Sequence, residues 1–231
     1  MISINRFLKL LCALCLCICA QAQTGKVDLH FLSFPKATDP EPLELLIGEN
    51  ETIEVQLPTN HISQAYSVPA LPNWTLGKSS APDARAFSFN SYGNTPSIRS
   101  PKQLVLVTRS GSKNSNDIQL TTLDFSTDAF GGGQYLFINA TEVDIAGIIG
   151  EQKFALKPGK STLVTPEATK TRGDLGYSYA RFFFRNKDKA KGFFSATWRL
   201  NEKAQSMVFF YHDPGTEQIR LHIIRSFLSG A

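Results

Sequence analysis

Apolar and polar residues alternate along most of this chain and helical periodicity is scarce, so the sequence is written for strands. Val27-Asp28-Leu29-His30-Phe31 and Thr52-Ile53-Glu54-Val55-Gln56-Leu57 have the period of half-buried strands. Leu104-Val105-Leu106-Val107 reads as a strand covered on both faces. From residue 118 onward the signal is denser, and 118–125, 134–139, 143–149, 153–156, 161–164, 177–185, 192–200, 206–212 and 218–227 each read as strands. Gly131-Gly132-Gly133, Gly150, Pro158-Gly159, Gly173 and Asp213-Pro214-Gly215 punctuate them as turns. Short strands at this spacing predict an all-β chain built as antiparallel β-sandwich, Ig-like or jelly-roll-like, with a closed barrel as the alternative. Few or no helices are expected beyond the N-terminal segment. No repeat of fixed period is present.

The first 22 residues have the layout of a signal peptide. Arg6 and Lys9 precede an apolar run from Leu10 to Ala20, and Ala20-Gln21-Ala22 places cleavage between Ala22 and Gln23. The run is far short of the roughly 20 residues that span a bilayer, so no transmembrane segment is expected in the mature chain. Lipid anchoring at Cys19 is the rival reading, and Ile18, where a small residue is wanted, argues against it. All four cysteines lie in this segment, so the mature chain is cysteine-free and must fold without disulfides. Its expected compartment is the periplasm, the cell envelope or the exterior. The mature chain keeps 22 basic and 20 acidic residues, a balance too even to suggest nucleic acid.

Ser110-Gly111-Ser112-Lys113-Asn114-Ser115-Asn116-Asp117 holds no apolar residue and is the strongest linker candidate. It divides the mature chain into an N-terminal β domain, 23–110, and a C-terminal β-sandwich, 118–231. A long hairpin loop within one sandwich is the other reading. Proline- and serine-rich stretches at 38–42, 79–82 and 92–101 suit loops. In the last hairpin, Met207, Phe209 and Tyr211 form one apolar set and Ile219, Leu221, Ile223 and Phe227 another. Placing both sets on one side requires a three- or five-residue loop, and a three-residue loop with Gly215 at positive φ is expected.

Catalytic and metal-binding patterns are weak throughout. In that register His212 and His222 share a face but stand roughly 13 Å apart, too far for one zinc. There is no G-x-S-x-G elbow, and the triple glycine lacks the Lys-Ser/Thr of a phosphate loop. Glu142 and Asp144 read as a solvated strand edge rather than a glycosidase pair or calcium site. No cofactor, metal or catalytic set is implied. Asn50-Glu51-Thr52, Asn73-Trp74-Thr75 and Asn139-Ala140-Thr141 fit the N-glycosylation pattern, as chance also would.

One surface stands out. If the strands from 177 to 227 are neighbours, a single face carries Phe183, Phe193 and Phe210 among Arg181, Arg185, Arg199 and Arg220. Aromatics mixed with arginine compose protein–protein hot spots. Its readings are an internal domain interface, a surface for a protein partner, or a platform for a glycan. The stretch 125–161, with Gly-Gly-Gln-Tyr-Leu-Phe-Ile-Asn-Ala-Thr at 132–141 and Leu-Lys-Pro-Gly-Lys-Ser at 156–161, resembles exported bacterial β-sandwich proteins of unknown function. It is also loosely similar to accessory sandwich proteins of periplasmic polysaccharide acetylation. The resemblance covers under a fifth of the chain and implies a non-catalytic accessory role. The expectation is therefore an exported, non-enzymatic adaptor or interaction protein. A carbohydrate-binding module, suggested by Trp74 and Trp198, is the alternative; a hydrolase would need acids, or Ser, His and Asp, gathered from distant strands.

Overall fold

A computed structural model describes residues 25–34, 42–80, 86–109, 118–173, 175–186, 189–213, 215–216 and 218–228. The expected signal segment with Cys19, the expected cleavage position at Ala22–Gln23 and the polar run 110–117 lie outside the described residues. The described chain is all-β. Its first eight strands are β1 (Lys26–Ser33), β2 (Leu43–Leu46), β3 (Thr52–Val55), β4 (Tyr66–Pro69), β5 (Asn73–Ser79), β6 (Phe89–Pro96), β7 (Lys102–Arg109) and β8 (Ile118–Asp124). They form two sheets, A in the order β4-β1-β7-β8 and B in the order β3-β2-β5-β6. Leu29, Phe31, Leu45, Val55, Trp74, Leu76, Val105 and Val107 fill the space between the two sheets. Trp74 is fully buried, and its indole N–H donates to Gln103 Oε1 at 2.8 Å, so the one polar atom of the ring is satisfied.

Nine more strands follow: β9 (Tyr135–Asn139), β10 (Ile145–Ile149), β11 (Gln152–Leu156), β12 (Ser161–Val164), β13 (Lys170–Arg172), β14 (Leu175–Asn186), β15 (Lys189–Arg199), β16 (Ala204–His212) and β17 (Ile219–Phe227). Sheet C is ordered β12-β9-β16-β17, and sheet D runs β11-β10-β14-β13 with β15 on the far side of β14. Tyr135, Phe137, Ile145, Phe182, Trp198, Val208 and Phe210 form their shared core.

The second set of sheets repeats the first. Leaving out the three-residue β13, the strands from β9 to β17 have the same order and the same pairing as β1 to β8. Each set has one parallel pair in the same place, β1 with β7 and β9 with β16, in otherwise antiparallel sheets. Even the irregularities coincide. The β5–β6 ladder slips between Leu76 and Gly77, leaving Tyr92 extra, and the β14–β15 ladder slips between Phe182 and Phe183, leaving Phe193 extra. Both extra aromatics turn toward their own core, as a bulge re-aims a side chain.

The two sandwiches meet through equivalent faces. Leu32, Phe34, Leu104 and Leu106 on the outer side of sheet A pack with Met207, Phe209 and Ile224 on the outer side of sheet C. Phe34 stacks on Phe209 with ring centroids 4.4 Å apart. The layers therefore run B, A, C, D. The two middle strands, β7 and β16, are buried along 103–107 and 204–210 without interruption.

Several expectations need correction. β7 and β8 pair from Gln103–Asp124 to Arg109–Ile118, so the run 110–117 joins neighbours in one sheet, the hairpin alternative. The chain instead crosses between cores at 125–134, where Phe125 and Phe130 are buried and Gln205 Nε2 donates to the Phe130 carbonyl. Much of the expected loop at 92–101 is strand, because β6 is an edge whose outer side tolerates Asn, Ser and Pro. The last hairpin pairs His212 with Ile219 and Phe209 with His222, and Asp213 N–H donates to the Gln218 carbonyl, which leaves a four-residue loop. Gly215 is not among the positive-φ glycines of the described residues, which are Gly133, Gly150, Gly159 and Gly173. With β16 covered on both sides, Met207 and Phe209 face sheet A while Ile219, Leu221 and Ile223 face the second core, so His212 and His222 point to opposite sides.

Candidate interaction surface

The outward faces of sheets B and D are topological equivalents, which makes each a control for the other. On sheet B the outward residues include Glu44, Thr52, Glu54, Thr75 and Asn94, and its strands carry one cation, Lys78, against two acids. The strands of sheet D carry eight lysines and arginines and no aspartate or glutamate.

The outward row of β14 reads Tyr177, Tyr179, Arg181, Phe183, Arg185, because Ser178, Ala180, Phe182 and Phe184 turn inward. Tyr179 is 44% exposed; its hydroxyl hydrogen-bonds Ser195 Oγ, and the Arg181 guanidinium lies 5.2 Å from its ring centroid. Arg199 stands beside Tyr177 on β15. Around Phe183 the neighbours across the ladders are small: Ala146, then Ala155, on one side and Gly192 on the other. The result is a pocket of about 300 Å³ at the 144–146 end, walled by Ala146, Ala155, Phe183 and Ala190 and rimmed by Lys157, Arg185 and Asp144. Asp144 Oδ2 lies 3.0 Å from Lys157 Nζ and 3.8 Å from Arg185.

Of the seven residues expected on one face, Arg181, Phe183, Arg185 and Arg199 share it. Phe210 does not: it is fully buried in the second core with its ring 5.0 Å from that of Phe182. Phe193 is the bulge residue, turned inward with its ring 6.0 Å from Phe210. Arg220 is on sheet C, 2.8 Å from Asp213. The Gly215 N–H holds the Asp213 carboxyl below its ordinary range against desolvation, and Arg220 adds to the lowering. The expectation treated β15 and β16 as sheet neighbours, whereas the chain crosses to the opposite sheet between them. Tyr177 and Tyr179 were readable by extending the period-2 row of β14; Ala146, Ala155 and Lys157 follow only from pairing.

Other candidate groups find structural partners. Trp74 and Trp198 are core residues, 0% and 7% exposed. Asn139 is buried; its amide donates to the carbonyls of Val143 and Leu156, and its Oδ1 accepts from Thr141, so this glycosylation pattern is a structural knot. A wider cleft of about 870 Å³ at one end of the second sandwich contains Glu167 and Glu202. Both are exposed, unlike a carboxyl sheltered for general-acid work. Among the described residues no group of three or more His, Asp or Glu could hold a metal, and no helix is long and apolar enough to cross a membrane. Comparison with known proteins yields no matching family model and no similar curated protein, so the reading of this surface rests on its own geometry.

Proposed function

We propose that this is an exported, non-enzymatic interaction protein that binds through the outward face of sheet D. The observation that carries the reading is the contrast between equivalent faces: the same topological surface is polar and acidic on sheet B and aromatic and cationic on sheet D. Edge protection does not account for it. Lysines at 189 and 191 lie on edge strand β15 and would serve that purpose, but Arg181 and Arg185 belong to β14, which is flanked by β10 and β15. A basic and aromatic row on a central strand is the composition of a binding surface.

A carbohydrate-binding module is the second reading, favoured by the exposed ring of Tyr179. It loses the support of Trp74 and Trp198, both committed to cores. The test is replacement of Tyr179 and Phe183 together by serine, followed by capture of partners from the host's own envelope fraction. A folded variant, with an unchanged melting curve, that no longer retains partners kept by the wild type supports the reading. Retention of the same partners by the variant overturns it.

A further inference from the structure

We propose that the partner of sheet D is a protein bearing an acidic, extended segment with an apolar side chain that seats in the pocket beside Phe183. This rests on the reading of sheet D as the binding face and names the chemistry of what it takes.

Charge complementarity sets the first half. Arg181, Arg185 and Arg199 project from the face, Lys157 stands at the pocket rim, and Asp144 is the one carboxylate lining the pocket. The exposure of the Arg185 and Lys157 side chains, 70% and 74%, leaves donors of both free to turn toward a partner's carboxylates. Lys157 and Arg185 each carry several N–H donors, so either can reach a partner's carboxylate while still facing Asp144, and no charge is stranded.

The pocket sets the second half. Its walls are alanines and the Phe183 ring, a lining that rewards an aliphatic or aromatic side chain. A sugar ring seated there would turn hydroxyls toward the alanine walls, whose methyl groups offer no hydrogen-bond partner. Packing does not demand the small residue opposite Phe183. A Cβ at Gly192 would meet the Phe183 ring at 3.6 Å, an ordinary contact, and Gly192 has no positive φ. The trough is open although the fold could close it. A carboxylate-rich strand laid along β14 would place side chains of one face about 7 Å apart, the spacing of Arg181, Phe183 and Arg185 along their own strand.

The experiment uses the full mature chain and three probes in fluorescence titrations at low and moderate salt. One is a labelled peptide of roughly nine residues alternating glutamate and leucine, the second its lysine–leucine counterpart, and the third polygalacturonate oligomers. The expected result is saturable binding of the acidic peptide alone, weakened about tenfold by added salt and by Arg181→Glu with Arg185→Glu. Ala146→Trp, which fills the trough from an exposed position between Ala155 and Phe183, should weaken it comparably with an unchanged melting curve. Binding of polygalacturonate without the peptide would overturn the protein partner while leaving sheet D as the binding face. Binding of no probe, or peptide binding indifferent to both variants, would overturn the proposal; the Tyr179 and Phe183 capture experiment then judges the face separately.

Discussion

His30 shows how one residue carries the cost of joining two sandwiches. It lies on the outer side of β1, 9% exposed, with Nδ1 2.9 Å from the Ser63 carbonyl and its ring edge-on to Phe125. Its Nε2 has no partner, and the other orphaned buried atom of the described residues, Gln205 Oε1, is on the face of sheet C that packs toward sheet A. Burial lowers the His30 pKa most, the Ser63 carbonyl works against that, and Lys102 adds to it. The unfolded chain takes up a proton near pH 6.5 while the folded one resists, so stability is flat above that pH and falls as pH drops toward the lowered value. Urea midpoints at pH 8, 6.5 and 5 should decline in the wild type more steeply than in His30→Phe; equal slopes would refute this. Phenylalanines nearby in sequence should part company. Phe210→Ala removes a ring from the second core and should cost about 3–5 kcal/mol. Phe183→Ala, on the open face, should cost about 1 kcal/mol or less in the same denaturation series.

At the scale of elements, the hairpin of β16 and β17 is the clearest lesson. Period-2 alternation assigns a strand's apolar face only when the other face is wet. β16 has no wet face over 204–210, so two apolar sets in one hairpin need not share a side. The loop of four settles it by pairing Phe209 with His222 and Phe210 with Leu221. Deleting Thr216 leaves the turn one residue short, and restoring its four residues by drawing Gln218 into it would shift β17 by one residue against β16. Leu221 and Ile223 would then leave the second core, and Ile224 would leave the contact with sheet A. Loss of the cooperative thermal transition is expected, whereas replacement of Thr216 by serine should leave it unmoved. Where only one face was covered, alternation served well: Tyr177 to Arg185 on β14 divides as its period says.

The whole molecule is two copies of one topology joined through the same face of each. Phe34, Leu106, Met207 and Phe209 are the apolar contact, so a carboxylate there would be buried without a partner. Phe209→Glu should separate the sandwiches while Val208 and Phe210 hold the second core. Small-angle scattering would then show a longer maximum dimension with strand content retained by circular dichroism; an unchanged profile would contradict the layer order as the source of rigidity. The joining also explains the division of labour. With A and C spent on each other, B and D are the sheets left to face outward, and only D has turned aromatic and basic.

The sequence by itself determined that the chain is β, where many of its turns fall, that β7 is covered on both sides, and which residues of β14 share a face. Each of these follows from period and composition within a single strand. Only the tertiary structure decided that the fold is duplicated, that 110–117 joins strands of one sheet, and that Phe210 and Phe193 serve the core rather than the surface. Those outcomes depend on which strands become neighbours and which sheet covers which, and pairing between residues distant in the chain leaves no periodic mark in either partner.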